Sequence, residues 1–320
     1  LADVYVNTVA TATTLNYANT AMSGTADDLL INLDGSSTSG SNIALTAASG
    51  ATNKIETVSL KSGSVGNTVN DLQTTSVGST KLEVTGDQNL TITTALDSEI
   101  VTVDASSFTG ALSVAAASNV VKMTGGTGND TFNFGASLLT SEDTIAGGTG
   151  TDTISYSGDE AVALTDFTNV TSVETLTAAN AIQITGNLGA KAKAAGITTI
   201  TFNDDGDGDN LTIDAEFDST ALTINLDDGD NTFDASAYTG TLTAKITELI
   251  ADANADAHTI TASSTVLTDV LSITADGTGI DNGDMTTFTG FDKLVIANDA
   301  STGTIVLDQV NIADGATFTV

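Results

Sequence analysis

The chain has 320 residues, with 41 acidic residues against eight lysines, no arginine, one histidine and no cysteine, for a formal charge of −33. That balance argues against nucleic acid or anionic membrane surfaces as partners, and the missing cysteines exclude disulfides and thiolate chemistry. A hydrophobic fraction of 40% still provides for a folded core.

The start, Leu1-Ala2-Asp3-Val4-Tyr5-Val6, has neither a basic region nor an apolar stretch, and no apolar run reaches the roughly 18 residues that cross a bilayer. With no initiating methionine, a processed or excised fragment not inserted in a membrane is expected. Residues 1–50 carry short alternating pieces, Val4-Tyr5-Val6, Leu29 to Leu33 and Ile43-Ala44-Leu45, and read as an N-terminal β segment. The loop Gly35 to Gly40 reads equally as a tip or a linker.

From Ile55 onward a small unit recurs: three to five alternating residues, then a turn, as in Leu82-Glu83-Val84, Leu90-Thr91-Ile92, Leu112-Ser113-Val114 and Val121-Lys122-Met123. The unit starts lie about ten to twelve residues apart, so two strands make a rung of about 20 to 24 residues. The chain contains no proline, which suits strands that donate hydrogen bonds along their whole length. The pattern predicts an all-β chain, a right-handed parallel β-solenoid or β-roll, which the segment that follows would stabilise with calcium.

The segment 125–155 is the most specific. Gly125-Gly126-Thr127-Gly128-Asn129-Asp130-Thr131-Phe132-Asn133 and Gly147-Gly148-Thr149-Gly150-Thr151-Asp152-Thr153-Ile154-Ser155 share the form Gly-Gly-x-Gly-x-Asp-x-apolar-x, the calcium-binding nonapeptide of β-rolls. Glycines are expected to take positive φ and turn carbonyls inward, while the aspartate adds a charged hard oxygen. Between them, 138–146 has lost its glycines but keeps Asp143 at the sixth place. The metal candidates here are Asp130, Asp143 and Asp152, with carbonyl ligands from Gly125, Thr127, Asn129, Gly147, Thr149 and Thr151. Asp159-Glu160 is placed on the edge occupied by Asp143, one rung on.

A longer repeat flanks this centre: Asp104-Ala105-Ser106-Ser107-Phe108-Thr109-Gly110 recurs as Asp234-Ala235-Ser236-Ala237-Tyr238-Thr239-Gly240, with Phe108 and Tyr238 read as core or corner fillers. Leu188 to Ala195, closed by Gly196, is the one expected helix. It is taken as a boundary, giving a solenoid over 51–187 and a second solenoid block over 188–320. Beyond it, Asp205, Asp207 and Asp209 alternate, with Glu216 at the twelfth place, the ligand spacing of an EF-hand loop. Asn210 stands where that loop needs glycine, so a calcium turn without an EF-hand fold is predicted. Asp227 and Asp230 form a weaker version, for which hydrated turns serve as well. His258 is read as a solvent-facing strand residue.

The two nonapeptide units resemble the RTX (repeats-in-toxin) family over about thirty residues. The whole chain, with its Ser/Thr-rich repeats and Asp-Ala-Ser-Phe-Thr-Gly corners, is similar to RTX-type, Caulobacter-like bacterial surface-layer proteins. The resemblance implies an extracellular, cell-surface location, type I secretion, dependence on Ca2+, and self-assembly of copies of the chain into a lattice, with cell-surface polysaccharide as a further partner. A calcium-rigidified adhesin is the alternative. An enzyme is disfavoured: the chain lacks arginine and tryptophan and has 4% aromatic residues, which leaves little for sugar-binding catalytic clefts.

Overall fold

Alternation with period two sets the local structure. In Thr131–Phe134 the two phenylalanines are buried and Thr131 and Asn133 are half-exposed, and Leu112–Ala115 and Ala221–Leu226 repeat the pattern. Apolar residues thus line one face, and threonine, which favours extended backbone, the other. The computed structural model describes residues 1, 3–6, 12–35, 41–179, 182–202, 208–219, 221–226, 231–246, 258–263, 265, 266, 268–273 and 288–296. Their strands form parallel sheets wound into a β-solenoid of about ten turns, with almost no helix.

The chain divides into two compact units, the first Leu1–Ile154 with Asn169–Val173, the second Ser155–Thr168 with Glu174–Val320. In the first, one sheet runs in the order Val4–Val6, Asp28–Asp34, Thr57–Gly63, Lys81–Gly86, Thr102–Asp104, Lys122–Thr124, Thr144–Ala146, Val170–Thr171. The other runs Ala12–Tyr17, Ser41–Ala47, Asn67–Gln73, Leu90–Ile92, Leu112–Ala115, Thr131–Phe134 and on to Thr153–Tyr156. Each rung therefore gives one strand to each sheet. Leu82, Val103, Met123 and Ile145 stack in register, at steps of 21, 20 and 22 residues.

The second unit repeats the plan. One sheet takes Thr175–Ala178, Thr199–Thr201, Ala221–Leu226, Thr241–Ile246, Val270–Ile273 and Lys293–Ile296; the other takes Glu160–Val162, Ile184–Leu188, Asn210–Ile213, Thr232–Asp234, Thr259–Thr261 and Phe288–Thr289. The helix spans Ala190–Ala195 and ends at Gly196, whose φ of 110° gives a left-handed cap. It connects two strands of this unit.

The core follows from the inner faces. In the first unit Phe108, Phe132 and Phe134 are fully buried; in the second, Phe202 meets Phe233 edge-on with centroids 6.2 Å apart, and Phe217 meets Tyr238 at 6.1 Å. The two copies of the long repeat make the same corner: Asp104 accepts the Ser106 N–H and Asp234 the Ser236 N–H, and the Phe108 and Tyr238 amides bond the carbonyls of Ala105 and Ala235. Short aspartate turns of this kind close the coil without a long loop.

Candidate functional site

The two glycine-rich turns stack one rung apart in the first unit. Thr149 N–H bonds Gly126 O at 3.0 Å, Thr151 N–H bonds Asn129 Oδ1 at 2.9 Å, and Thr153 N–H bonds Asp130 O at 2.8 Å. Asp143 precedes a strand of the other sheet, Thr144–Ala146. Thr127, Asn129, Thr149 and Thr151 are exposed, whereas Gly125, Gly147 and all three aspartates are buried.

Close approach, more than torsion, demands glycine here. A Cβ on Gly125 would collide with Gly147 O and Asp130 Oδ2, and one on Gly147 with Ser172 O and Asp152 Oδ2. Positive φ occurs in the second turn alone, at Gly148 (111°) and Gly150 (131°). The expectation that all these glycines serve positive φ is thereby corrected: successive rungs pass too close for a side chain.

The buried aspartates brace the rungs. Asp130 Oδ1 accepts the Leu112 N–H at 2.8 Å from the rung before, and Oδ2 accepts the Gly126 N–H at 2.6 Å within its own turn. Asp152 Oδ1 in turn accepts the Asp130 N–H at 2.8 Å. Asp143 Oδ1 accepts the Val121 N–H at 2.7 Å, while Oδ2 takes the Thr140 N–H at 2.8 Å and hydroxyl at 3.0 Å. In each case the aspartate stands immediately ahead of a strand and reaches the register-equivalent amide one rung back.

The second unit shows the same device. Asp209 accepts the Ile184 N–H and gives its own N–H to Asn231 Oδ1 at 2.9 Å. Asp269 accepts the Leu242 N–H at 2.7 Å and gives its N–H to Asp292 Oδ2 at 3.0 Å. Asn231, Asp269 and Asp292 were not among the sequence candidates. A signal for them exists, since Asp130-Thr131-Phe132, Asp143-Thr144-Ile145, Asp152-Thr153-Ile154, Asn231-Thr232-Phe233 and Asp269-Val270-Leu271 place an Asx two residues before a core residue, on the same face.

Two further expectations change, and a third cannot be placed among the described residues. His258 is buried, not solvent-facing, and holds the position after Asn231 in the same column, since Thr232 pairs with Thr259. Glu160 begins a strand in a sheet of the second unit, away from the Asp143 column, which continues to Val170–Thr171. Asp205, Asp207, Asp227 and Asp230 lie outside the described residues, so of that acidic set only Asp209 is placed.

Burial raises the Asp130 carboxyl above its ordinary pKa, against the Leu112 and Gly126 N–H bonds that favour its charge. Asp269 is pushed up to about 6, by burial first and then by the Asp292 charge, with the Leu242 and Ser263 amides opposing. Among the described residues no group of three or more acidic, histidine or cysteine side chains converges on a metal position. Both oxygens of Asp130 and of Asp143 accept main-chain N–H bonds, so a cation at either carboxylate would share its oxygens with amide donors. What the arrangement does is carry hydrogen bonds from rung to rung through the buried interior.

The fold and these braced turns define a parallel β-solenoid. Comparison with protein-family models, with curated proteins and with solved structures returns no match.

Proposed function

We propose that the chain is a structural, self-assembling component of an extracellular surface layer, with folding and lattice assembly that depend on calcium. The observation that carries this reading is the stacking of the two Gly-Gly-x-Gly-x-Asp turns, with Asp130 and Asp152 buried in successive rungs. A solenoid offers regular outward faces of threonine, serine and asparagine to copies of itself. Calcium enters because the chain holds −33 formal charges and desolvated carboxyls such as Asp130; a divalent ion bound only by the folded chain would supply countercharge and couple folding to arrival in a calcium-rich exterior.

A binding module of adhesin type is the second reading, favoured by the exposed Tyr5 beside Asn32 and Lys61. Circular dichroism and light scattering, followed together as calcium is titrated into chelator-treated protein, separate the two. The surface-layer reading expects a β signal that rises with calcium, then large ordered particles. Folding that stops at a monodisperse monomer favours the adhesin. A full β signal in chelator removes the calcium dependence and leaves the Asx–amide bonds sufficient for folding.

A further inference from the structure

In each unit one sheet turns a grid of hydroxyls to solvent. In the first unit Thr91 pairs in register with Ser113 and Ser113 with Thr131, and Thr153 follows one rung on, its N–H bonded to Asp130 O at 2.8 Å. In the second unit Thr175, Thr199, Thr223 and Thr243 stand in register, one to each rung. A second column runs two residues further along, with Ala115 beside Asn133 in the first unit and Thr177, Thr201 and Asn225 in the second. All of these side chains are half-exposed, so their polar atoms are open to a partner.

Charge separates this face from the others. Although the chain carries 41 acidic residues, the two columns hold no charge until Lys245, which follows Asn225. The first unit's other sheet instead sets Lys81, Glu83, Asp104 and Lys122 on its outward positions, with Lys81 Nζ 3.1 Å from Asp104 Oδ2. In the second unit's other sheet Asp234 stands between Thr212 and Thr261.

The spacing of the grid follows from the fold. Rungs lie about 4.8 Å apart, and residues two apart on a strand about 6.6 Å apart. Threonine is stiff at χ1, so its hydroxyl and methyl keep their places on that grid. In the first unit the buried carboxylates of Asp130 and Asp152, each directly before a threonine of the column, tie one rung to the next. A face held this firmly loses little freedom when it binds.

The columns lack the aromatic and arginine anchors on which protein interfaces depend. What a flat, uncharged, repeating face fits is a partner that is itself uncharged and repeating. Ice exposes flat planes of water oxygens with two repeats close to these spacings, and a charged side chain would hold its own hydration shell out of step with them. We propose that this hydroxyl face binds ice. Threonine hydroxyls and asparagine amides bond water of the lattice, and the threonine methyls rest between rows of it. This activity goes beyond the surface-layer reading and does not need it.

Ice grown slowly from a solution of the whole chain, in buffer where circular dichroism shows it folded, tests the proposal. Growing ice rejects ordinary solutes, so the protein content of the ice is compared with that of the remaining liquid. The expected result is a ratio several-fold above that of a soluble acidic protein of similar mass. Thr199→Lys and Thr223→Lys, each folded by circular dichroism, should lose most of that uptake. Thr212→Lys, on the second unit's other sheet, should keep it. Uptake of the unaltered chain no greater than that of the control protein overturns the proposal, as does full uptake by both face variants or an equal loss in Thr212→Lys. Particle growth in calcium is a separate readout, so ice binding and the surface-layer reading can fail independently.

Discussion

Asp130 donates its backbone N–H to Asp152 Oδ1 at 2.8 Å while its own Oδ1 accepts the Leu112 N–H at 2.8 Å, so two aspartates join three successive rungs head to tail. Beside them Asn129 Oδ1 reaches the opposite way, to the Thr151 N–H at 2.9 Å. Adjacent residues thus tie a rung to both of its neighbours.

Removing an acceptor should expose this role. Asp152→Ala leaves the buried Asp130 amide without its carboxylate, and a loss of about 1–3 kcal/mol is expected. Asp130→Asn should be nearly as harmful as Asp130→Ala, because one of its two oxygens becomes an NH2 facing the Gly126 or Leu112 donor. Urea unfolding followed by circular dichroism measures both; an unchanged midpoint for Asp152→Ala would refute the brace.

Close rung packing makes a sharper contrast between glycines. Gly147→Ala drives a methyl into the Ser172 carbonyl and should cost about 1–3 kcal/mol or more. Gly66→Ala, whose methyl would lie 3.8 Å from Asn89 O, should change stability by less than about 0.5 kcal/mol. Thermal melts of the pair decide it, and equal shifts would mean that the turns are slack.

Asp269 gives stability a pH dependence of defined sign. Its folded carboxyl is raised to about 6 from an ordinary 3.8, so between these values the folded chain holds a proton that the unfolded chain has released. The folded state is therefore most favoured below about pH 4 by this group, and stability falls as pH rises to about 6, by roughly 3 kcal/mol in all. Asp130 and Asp166, also raised by burial, act in the same direction. Asp269→Asn keeps an acceptor for the Leu242 amide and should flatten the slope; chemical unfolding at pH 4.5, 5.5 and 7 measures it, and an unchanged slope would show that Asp269 titrates normally.

The corner repeat yields a graded pair. Tyr238 is buried and its hydroxyl bonds Ser219 O at 3.1 Å and Ser219 Oγ at 3.0 Å, so Tyr238→Phe should lose about 1 kcal/mol. Phe108→Ala, which empties the equivalent corner of the first unit, should lose about 3–5 kcal/mol. Unfolding midpoints that fail to rank in this order would dissociate the two corners.

Much of the fold was legible in the chain because a solenoid is locally specified. Alternation in segments such as Leu82-Glu83-Val84, the recurrence every 20 to 24 or so residues and the absence of proline suffice to predict parallel stacked strands, and Phe108 and Tyr238 take the corner positions that the repeated segment implies. The inward direction of Asp130, Asp143, Asp152 and Asp269 was also available, since each stands two residues before a core side chain. What those carboxylates meet was not: the donors are amides some 18 to 27 residues away, at Leu112, Val121, Asp130 and Leu242. Only the register of one rung on the next brings such an amide to the oxygen. For the same reason tertiary structure alone decided why Gly125 and Gly147 are glycine, why His258 is buried, and that Tyr5, Asn32 and Lys61 share one face: each depends on a neighbour supplied by a different turn of the coil.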